Sequence, residues 1–176
     1  MKVICIAGYS NCGKTHLIER LIAALKARGL RVSTIKHAHH SFDIDHPGKD
    51  SFRHRAAGAF EVVVASDTRL ALMREFERQT PLGVHGLLAE LDHGVDWVLV
   101  EGFKSSELPR LEVWRAAAGK PARYPEDGLV AAIATDSPGQ LPQAPRCPVL
   151  DLNDTEAVAQ WLLAHGGRFE YPLNST

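Results

Sequence analysis

Two glycines, a lysine and a threonine stand at G-x-x-x-x-G-K-T spacing in Gly8-Tyr9-Ser10-Asn11-Cys12-Gly13-Lys14-Thr15. The chemistry this suits is the holding of phosphate. Glycines let the backbone bend tightly, so that successive N–H groups point at phosphate oxygens. A helix opening at Lys14 adds the partial positive charge of its N-terminus. The Lys14 ammonium can reach the β- and γ-phosphates of a nucleoside triphosphate, and the Thr15 hydroxyl can ligate magnesium. Gly8, Asn11, Cys12, Gly13, Lys14, Thr15 and His16 are therefore the candidate nucleotide-binding residues of this segment. Cys12 reads as a small filler of the loop rather than a reactive thiol.

Glu101 is the next candidate. It ends the apolar run Trp97-Val98-Leu99-Val100 and precedes Gly102, so its carboxylate should emerge at the carboxyl edge of a sheet, where open α/β sheets bind ligands. An acidic group there can hold magnesium or orient an attacking water; the bland alternative is a solvated strand end. Lys14 and Glu101 are the candidate catalytic residues. Lys104 either contacts a phosphate or is simply exposed.

Residues 36–51 carry four of the nine histidines, with Asp43, Asp45 and Asp50. Three readings stand for this segment. It is a switch-like loop supplying acidic magnesium ligands, a nickel or zinc site, or a polar loop whose histidines cap backbone groups. His37, His39 and His40 cannot all face one ion in an extended segment. Lys49 is a further candidate nucleotide contact. Asp50 is either a magnesium ligand, with Thr15 and Glu101, or the N-cap of the following helix. Arg53 and Arg55 could bind an anion or lie on the surface.

These residues need elements to hold them. Val3 to Ala7 is an unbroken apolar run, as in a strand buried on both faces of a parallel sheet. Lys14 to Arg28 predicts a helix, with Leu17, Ile18, Leu21, Ile22 and Leu25 on one face and Gly29 at its C-terminal end. Leu30 to Ile35 predicts a second strand, completing a βαβ unit with a parallel pair. A short helix follows near Asp50 to Ala57. Val62 to Ala65 and Leu70 to Met73 suggest a hairpin on the sheet edge. Pro81 to Leu91 reads as a helix, and Leu111 to Trp114, Val130 to Ile133 and Val149 to Asp151 as strands. Ser137 to Pro148 is a loop, and Asp154 to Ala164 a closing helix. The class expected is α/β, a P-loop NTPase three-layer sandwich with a mostly parallel sheet and an antiparallel hairpin. Residues 1–166 are expected to form one domain, with 167–176 a loosely held tail.

Composition excludes more than it assigns. The 176 residues, 45% hydrophobic and 23% charged with a formal net charge of −1, suit one soluble domain. That balance gives no support for nucleic-acid binding. Three scattered cysteines do not make a disulfide framework or a zinc site. The first apolar run is too short for a signal sequence or membrane span, so a cytoplasmic protein is expected. No N-K-x-D string is present to read a guanine base. Thr135-Asp136, after a predicted strand, is a weak candidate for touching one.

The order of Gly8–Thr15, Ile35-Lys36-His37-Ala38-His39-His40, Asp43-Ile44-Asp45-His46-Pro47-Gly48-Lys49-Asp50-Ser51 and Val100-Glu101-Gly102-Phe103-Lys104 resembles the MobB family. These are the molybdopterin-guanine dinucleotide biosynthesis proteins B. The likeness runs from Met1 to about Ala164, and the Asp151-Leu152-Asn153-Asp154 turn resembles the family's C-terminal part. It implies a homodimer that binds GTP with magnesium, hydrolyses it slowly, and associates with MobA, the guanylyltransferase that joins GMP to molybdenum-bound molybdopterin. Family roles carry over to Gly13, Lys14 and Thr15 for phosphate and magnesium, and to Glu101 near the metal. Whether molybdopterin itself binds here is left open. Cys12 departs from the small hydroxyl or glycine expected at its position. Two other classes compete: a small-molecule kinase using Asp43, Asp45 or Glu101, and a metal-delivery NTPase using the histidine cluster.

Overall fold

The computed structural model describes residues 1–38, 42–78 and 80–172. In chain order its elements are β1 (Lys2–Ala7), α1 (Lys14–Lys26), β2 (Val32–Lys36), α2 (Asp50–Ala56), β3 (Glu61–Ser66), β4 (Arg69–Arg74), α3 (Val84–Ala89), β5 (Trp97–Glu101), β6 (Arg110–Trp114), β7 (Val130–Thr135), β8 (Val149–Asp151) and α4 (Thr155–Ala164). They divide into two compact units, Met1–His37 with Val84–Thr176, and Ala38–Gly83, where one domain over residues 1–166 was expected.

The larger unit is a three-layer α/β sandwich. Its six strands run in the order β2-β5-β1-β6-β7-β8, and every pairing is parallel. Alternate side chains of β1 and β5 explain their continuous apolar runs. Ile4, Ile6, Trp97 and Leu99 pack with Leu17, Leu21 and Leu25 of α1 and Val158 and Leu162 of α4. Val3, Cys5, Val98 and Val100 pack on the other face with Val84 and Leu88 of α3. Both faces are dry, so no polar alternation appears. Helix α1 closes where Gly29 turns at φ 77° and the Leu30 amide returns to the Leu25 carbonyl at 3.3 Å. Asp154 caps α4, its carboxylate accepting from the Ala157 amide at 2.9 Å.

Four expectations change. β1 and β2 are parallel but not neighbours, because β5 lies between them and pairs with both. The hairpin β3–β4 forms a two-stranded sheet of its own rather than an edge of the large one, since its hydrogen-bonding partners are each other. The helix read over Pro81 to Leu91 is confined to Val84–Ala89. The tail is packed as far as residue 172. Phe169 is 1% exposed, against Trp97 and Trp161 with ring centroids at 5.7 and 5.9 Å. The Tyr171 amide donates to the Met1 carbonyl at 2.9 Å, and Lys2 pairs with Glu170 at 3.0 Å. A buried aromatic anchor outweighs the flexibility of Gly166-Gly167. Residues 173–176 lie outside the described residues.

In the smaller unit, Arg55 of α2 joins Asp43 at 2.9 Å, Asp45 at 3.2 Å and Glu75 at 2.8 Å. Among the described residues no helix is long and apolar enough to cross a membrane.

Candidate functional site

The turn after β1 begins with Gly8 at φ 137°. A Cβ there would overlap the Val113 carbonyl oxygen, so only glycine lets the chain pass over the end of β6. Asn11 and Gly13 also take positive φ, at 66° and 92°, and Gly13 is the N-cap of α1. Cys12 is buried in the core below the turn, as the filler reading expects. Its packing pins the turn from beneath and leaves the amides above available to a ligand. The Lys14 ammonium curls over the turn and donates to the Tyr9 carbonyl at 2.8 Å.

The strand register brings Glu101 to this turn. It lies level with Ile6 of β1 and with Lys36 of β2. Its carboxylate accepts from the Thr15 hydroxyl at 3.2 and 3.4 Å and pairs with the Lys36 ammonium at 3.7 Å. The backbone behind it is tightly specified. The His37 amide donates to the Glu101 carbonyl at 2.9 Å. Gly102 turns at φ 103°, with a Cβ there only 2.7 Å from that of His37. Phe103 holds φ 48°, a costly conformation for a bulky side chain, with its ring 4.9 Å from the His37 imidazole. Lys104 stands 5.9 Å over the Tyr9 ring.

This donor set fits magnesium. A hydroxyl and a carboxylate at 3.2 Å are hard oxygen ligands spaced for neighbouring positions around a small cation. Lys14, Lys36 and Lys104, three cations against the single Glu101 carboxylate, suit an anionic ligand brought in with it.

The remaining sequence candidates make other contacts. His16 is exposed on α1, 3.9 Å from Glu19. Lys49 and Asp50 belong to the smaller unit. Lys49 is the N-cap of α2, so Asp50 is its first helical residue rather than the cap, and it pairs with Arg53 at 3.7 Å. Asp43 and Asp45 are taken up by Arg55. Its hydrogen bond, followed by the Asp45 amide, holds the Asp43 carboxyl below its ordinary value. Burial pulls Asp45 upward, but the His46 amide, Ser51 and Arg55 together keep it low. Among the described residues no group of three His, Cys, Asp or Glu side chains could hold a metal ion. His39 and His40, central to the metal-site reading, lie outside the described residues.

Sequence reasoning did not single out Lys36 as Glu101's partner, although it saw both strand ends. The missing information was that β2 and β5 are neighbours. It also passed over the polar residues of β6. Arg110 pairs with Asp127 at 2.7 Å. Burial pushes the Glu112 carboxyl up against the opposing pull of the Arg123 and Tyr124 amides, each donating to it at 2.7 Å. These groups anchor the segment after β6.

Comparison with known proteins decides the family. Residues 3–136 match the model of the MobB family, described as molybdopterin guanine dinucleotide synthesis protein B. The chain belongs to the MobB family. It is 41% identical over 163 residues, 92% of this chain and 91% of the other, to the molybdopterin-guanine dinucleotide biosynthesis adapter protein of Escherichia coli K12. It is 40% identical to the adapter protein of the same description from Haemophilus influenzae, over 89% of this chain and 85% of that one. Among solved structures, a MobB homolog from Bacillus stearothermophilus superposes with a TM-score of 0.67 at 25% identity, covering 95% of this chain and 99% of that one. Bacillus subtilis MobB shares the fold with a TM-score of 0.71 at 24% identity, over 98% and 100% of the two chains. The resemblance carried by Gly8–Thr15, the His37–Ser51 block and Glu101-Gly102 thus identified the MobB family correctly.

Proposed function

We propose that this MobB-family protein is an adapter in molybdopterin guanine dinucleotide biosynthesis that binds GTP with magnesium at the Gly8–Thr15 turn. The observation that carries the nucleotide reading is the Thr15 hydroxyl beside the Glu101 carboxylate, 3.2 Å apart, at the mouth of a turn that only glycine can begin. In this reading the amides of the turn and the Lys14 ammonium hold phosphate oxygens. Thr15 and Glu101 hold magnesium, which neutralises charge between the phosphates. Lys36 offsets the Glu101 charge and orients its carboxylate. Hydrolysis is slow, because the described side chains bonded to Glu101 are a threonine and a lysine, without the glutamine or arginine that speeds such reactions.

The adapter description of the relatives supports this reading, in which the protein partner is a MobA-like guanylyltransferase and the setting is the cytoplasm. Homodimerisation belongs to the same proposal, and the exposed apolar residues of β3 and β4 are the surface that supports it. Calorimetric titration of GTP with magnesium into the parent and Lys14→Ala proteins tests the nucleotide site. Loss of one charge-assisted phosphate contact should weaken binding by roughly ten- to a hundredfold. Unchanged affinity in a folded Lys14→Ala protein removes the turn from the site.

A further inference from the structure

The segment between β5 and β6 brings Lys104 back to the Gly8–Thr15 turn. Its ammonium stands 5.9 Å over the Tyr9 ring, and the Tyr9 carbonyl accepts from Lys14 at 2.8 Å. Two ammonium groups thus gather at one residue of the turn. A lysine on a surface loop is ordinarily mobile, but the backbone under this one is held from inside the protein at three points. The Cys5 thiol donates to the Gly102 carbonyl at 3.3 Å. Burial raises that thiol above its ordinary value, against the pull of the nearby Arg110, so it stays protonated and able to donate. Arg110 Nη2 donates to the Lys104 carbonyl at 3.1 Å and also to the Ser106 carbonyl. Arg123 Nη2 reaches the Lys104 carbonyl at 3.4 Å. The carbonyls of residues 102, 104 and 106 are all engaged by side chains of the protein body. Phe103 is kept between them at its strained φ of 48°.

Arg110 is the centre of this arrangement, and it is only 3% exposed. Its Nη1 donates to both Asp127 oxygens, at 2.8 and 2.7 Å. Its Nε finds no acceptor among the described residues. A buried guanidinium with a donor left over is costly, and apolar side chains of similar volume often serve stability as well or better in such places. Packing alone does not account for an arginine here. What an apolar residue could not do is join Asp127, beyond β6, to the backbone of Lys104 and Ser106 through one rigid planar fork.

We propose that Lys104 supplies a second ammonium to the phosphates held at the Gly8–Thr15 turn, and that Arg110 is the positioning residue that sets it there through the Lys104 carbonyl. The inference rests on the phosphate reading given above and deepens it. Fixing the loop confines the ammonium to the reach of its own side chain, which cuts the ordering cost of binding. The Tyr9 ring keeps it beside the turn until phosphate oxygens replace that weaker contact.

A double-mutant cycle read by calorimetry, with GTP and inorganic tripolyphosphate each in the presence of magnesium, tests both parts. Lys104→Ala should weaken both ligands by about tenfold, and unchanged affinity in that variant overturns the proposal. Arg110→Met should weaken them by about three- to tenfold in the parent, but by less than about twofold in the Lys104→Ala background, where the group it positions is gone. An arginine that merely holds the fold together would weaken binding equally in both backgrounds, and that result overturns the positioning role. If Arg110→Met does not fold, Asp127→Asn takes its place in the cycle with the same two outcomes, since it keeps the side-chain shape and loosens the far end of the guanidinium. Lys14→Ala separates this test from that of the phosphate site. Weakened binding there with full binding in Lys104→Ala overturns the present proposal alone, whereas unchanged binding in Lys14→Ala removes the site on which both readings rest.

Discussion

Strands β1 and β3 are each six residues long, KVICIA and EVVVAS, and both are rich in branched apolar side chains. In β1 everything from Val3 to Ala7 is buried; in β3 only Val62 is. Composition does not separate them. Neighbours do. β1 is hydrogen-bonded between β5 and β6 and covered by α1 and α4 on one face and α3 on the other. Among the described residues β3 has β4 as its one strand partner, and a lone two-stranded ribbon is marginal in water. Strand β1 can therefore aim the Gly8–Thr15 turn with little freedom, because its core positions are locked on both sides. The ribbon is a surface, with Leu70 69% and Val63 56% exposed.

This contrast can be broken by substitution. Leu99→Ala, in the fully buried centre of β5, should reduce stability by about 2–5 kcal/mol through lost burial and the cavity left behind. Urea unfolding measures it, and a loss under about 1 kcal/mol would mean that the six-stranded sheet is less tightly packed than its burial implies.

Acid should act on the smaller unit with an intermediate effect. Asp43 and Asp45 are held below the ordinary carboxyl value of 3.8. A depressed folded-state pKa contributes stability above the unfolded value and loses it as pH falls through the folded one. Amide and side-chain NMR shifts around α2 and Arg55 should therefore change below about pH 3.8, while those of β1 hold. Arg55→Met should move that step up towards the ordinary carboxyl range, since Asp43 and Asp45 lose their guanidinium partner. If the step persists unchanged, the Arg55 cluster is not its origin.

The smallest effect belongs to the ribbon. Leu70→Ser should shift stability by no more than about 0.5 kcal/mol, as for other exposed positions. A larger loss that grows with protein concentration would sharpen the comparison differently, by showing that a second copy covers the ribbon.

Much of the site was legible in the residues. The glycine spacing of Gly8–Thr15 announced a tight turn between strand and helix, since positive φ and close approach at Gly8 are properties that glycine alone supplies. The apolar periods around it announced a strand and a helix. Glu101 was legible as a strand-end carboxylate because Gly102 stops the apolar run. Less was legible where polar groups are engaged by distant partners. Asp43 and Asp45 looked free to bind magnesium, and nothing local shows that Arg55 claims them both. Phe169 looked like part of a loose tail, because its partners Trp97 and Trp161 lie elsewhere in the chain.

The sequence alone determined what depends on near neighbours: the turn, its helix, the strands, and the MobB family resemblance those motifs carry. Tertiary structure alone decided that β5 enters between β1 and β2, so that Glu101 meets Thr15 and Lys36 at one point. It also decided that Arg110, buried at the start of β6, holds the backbone of Lys104. Strand order rests on which apolar faces pack together across long stretches of chain, and no local spacing encodes that choice.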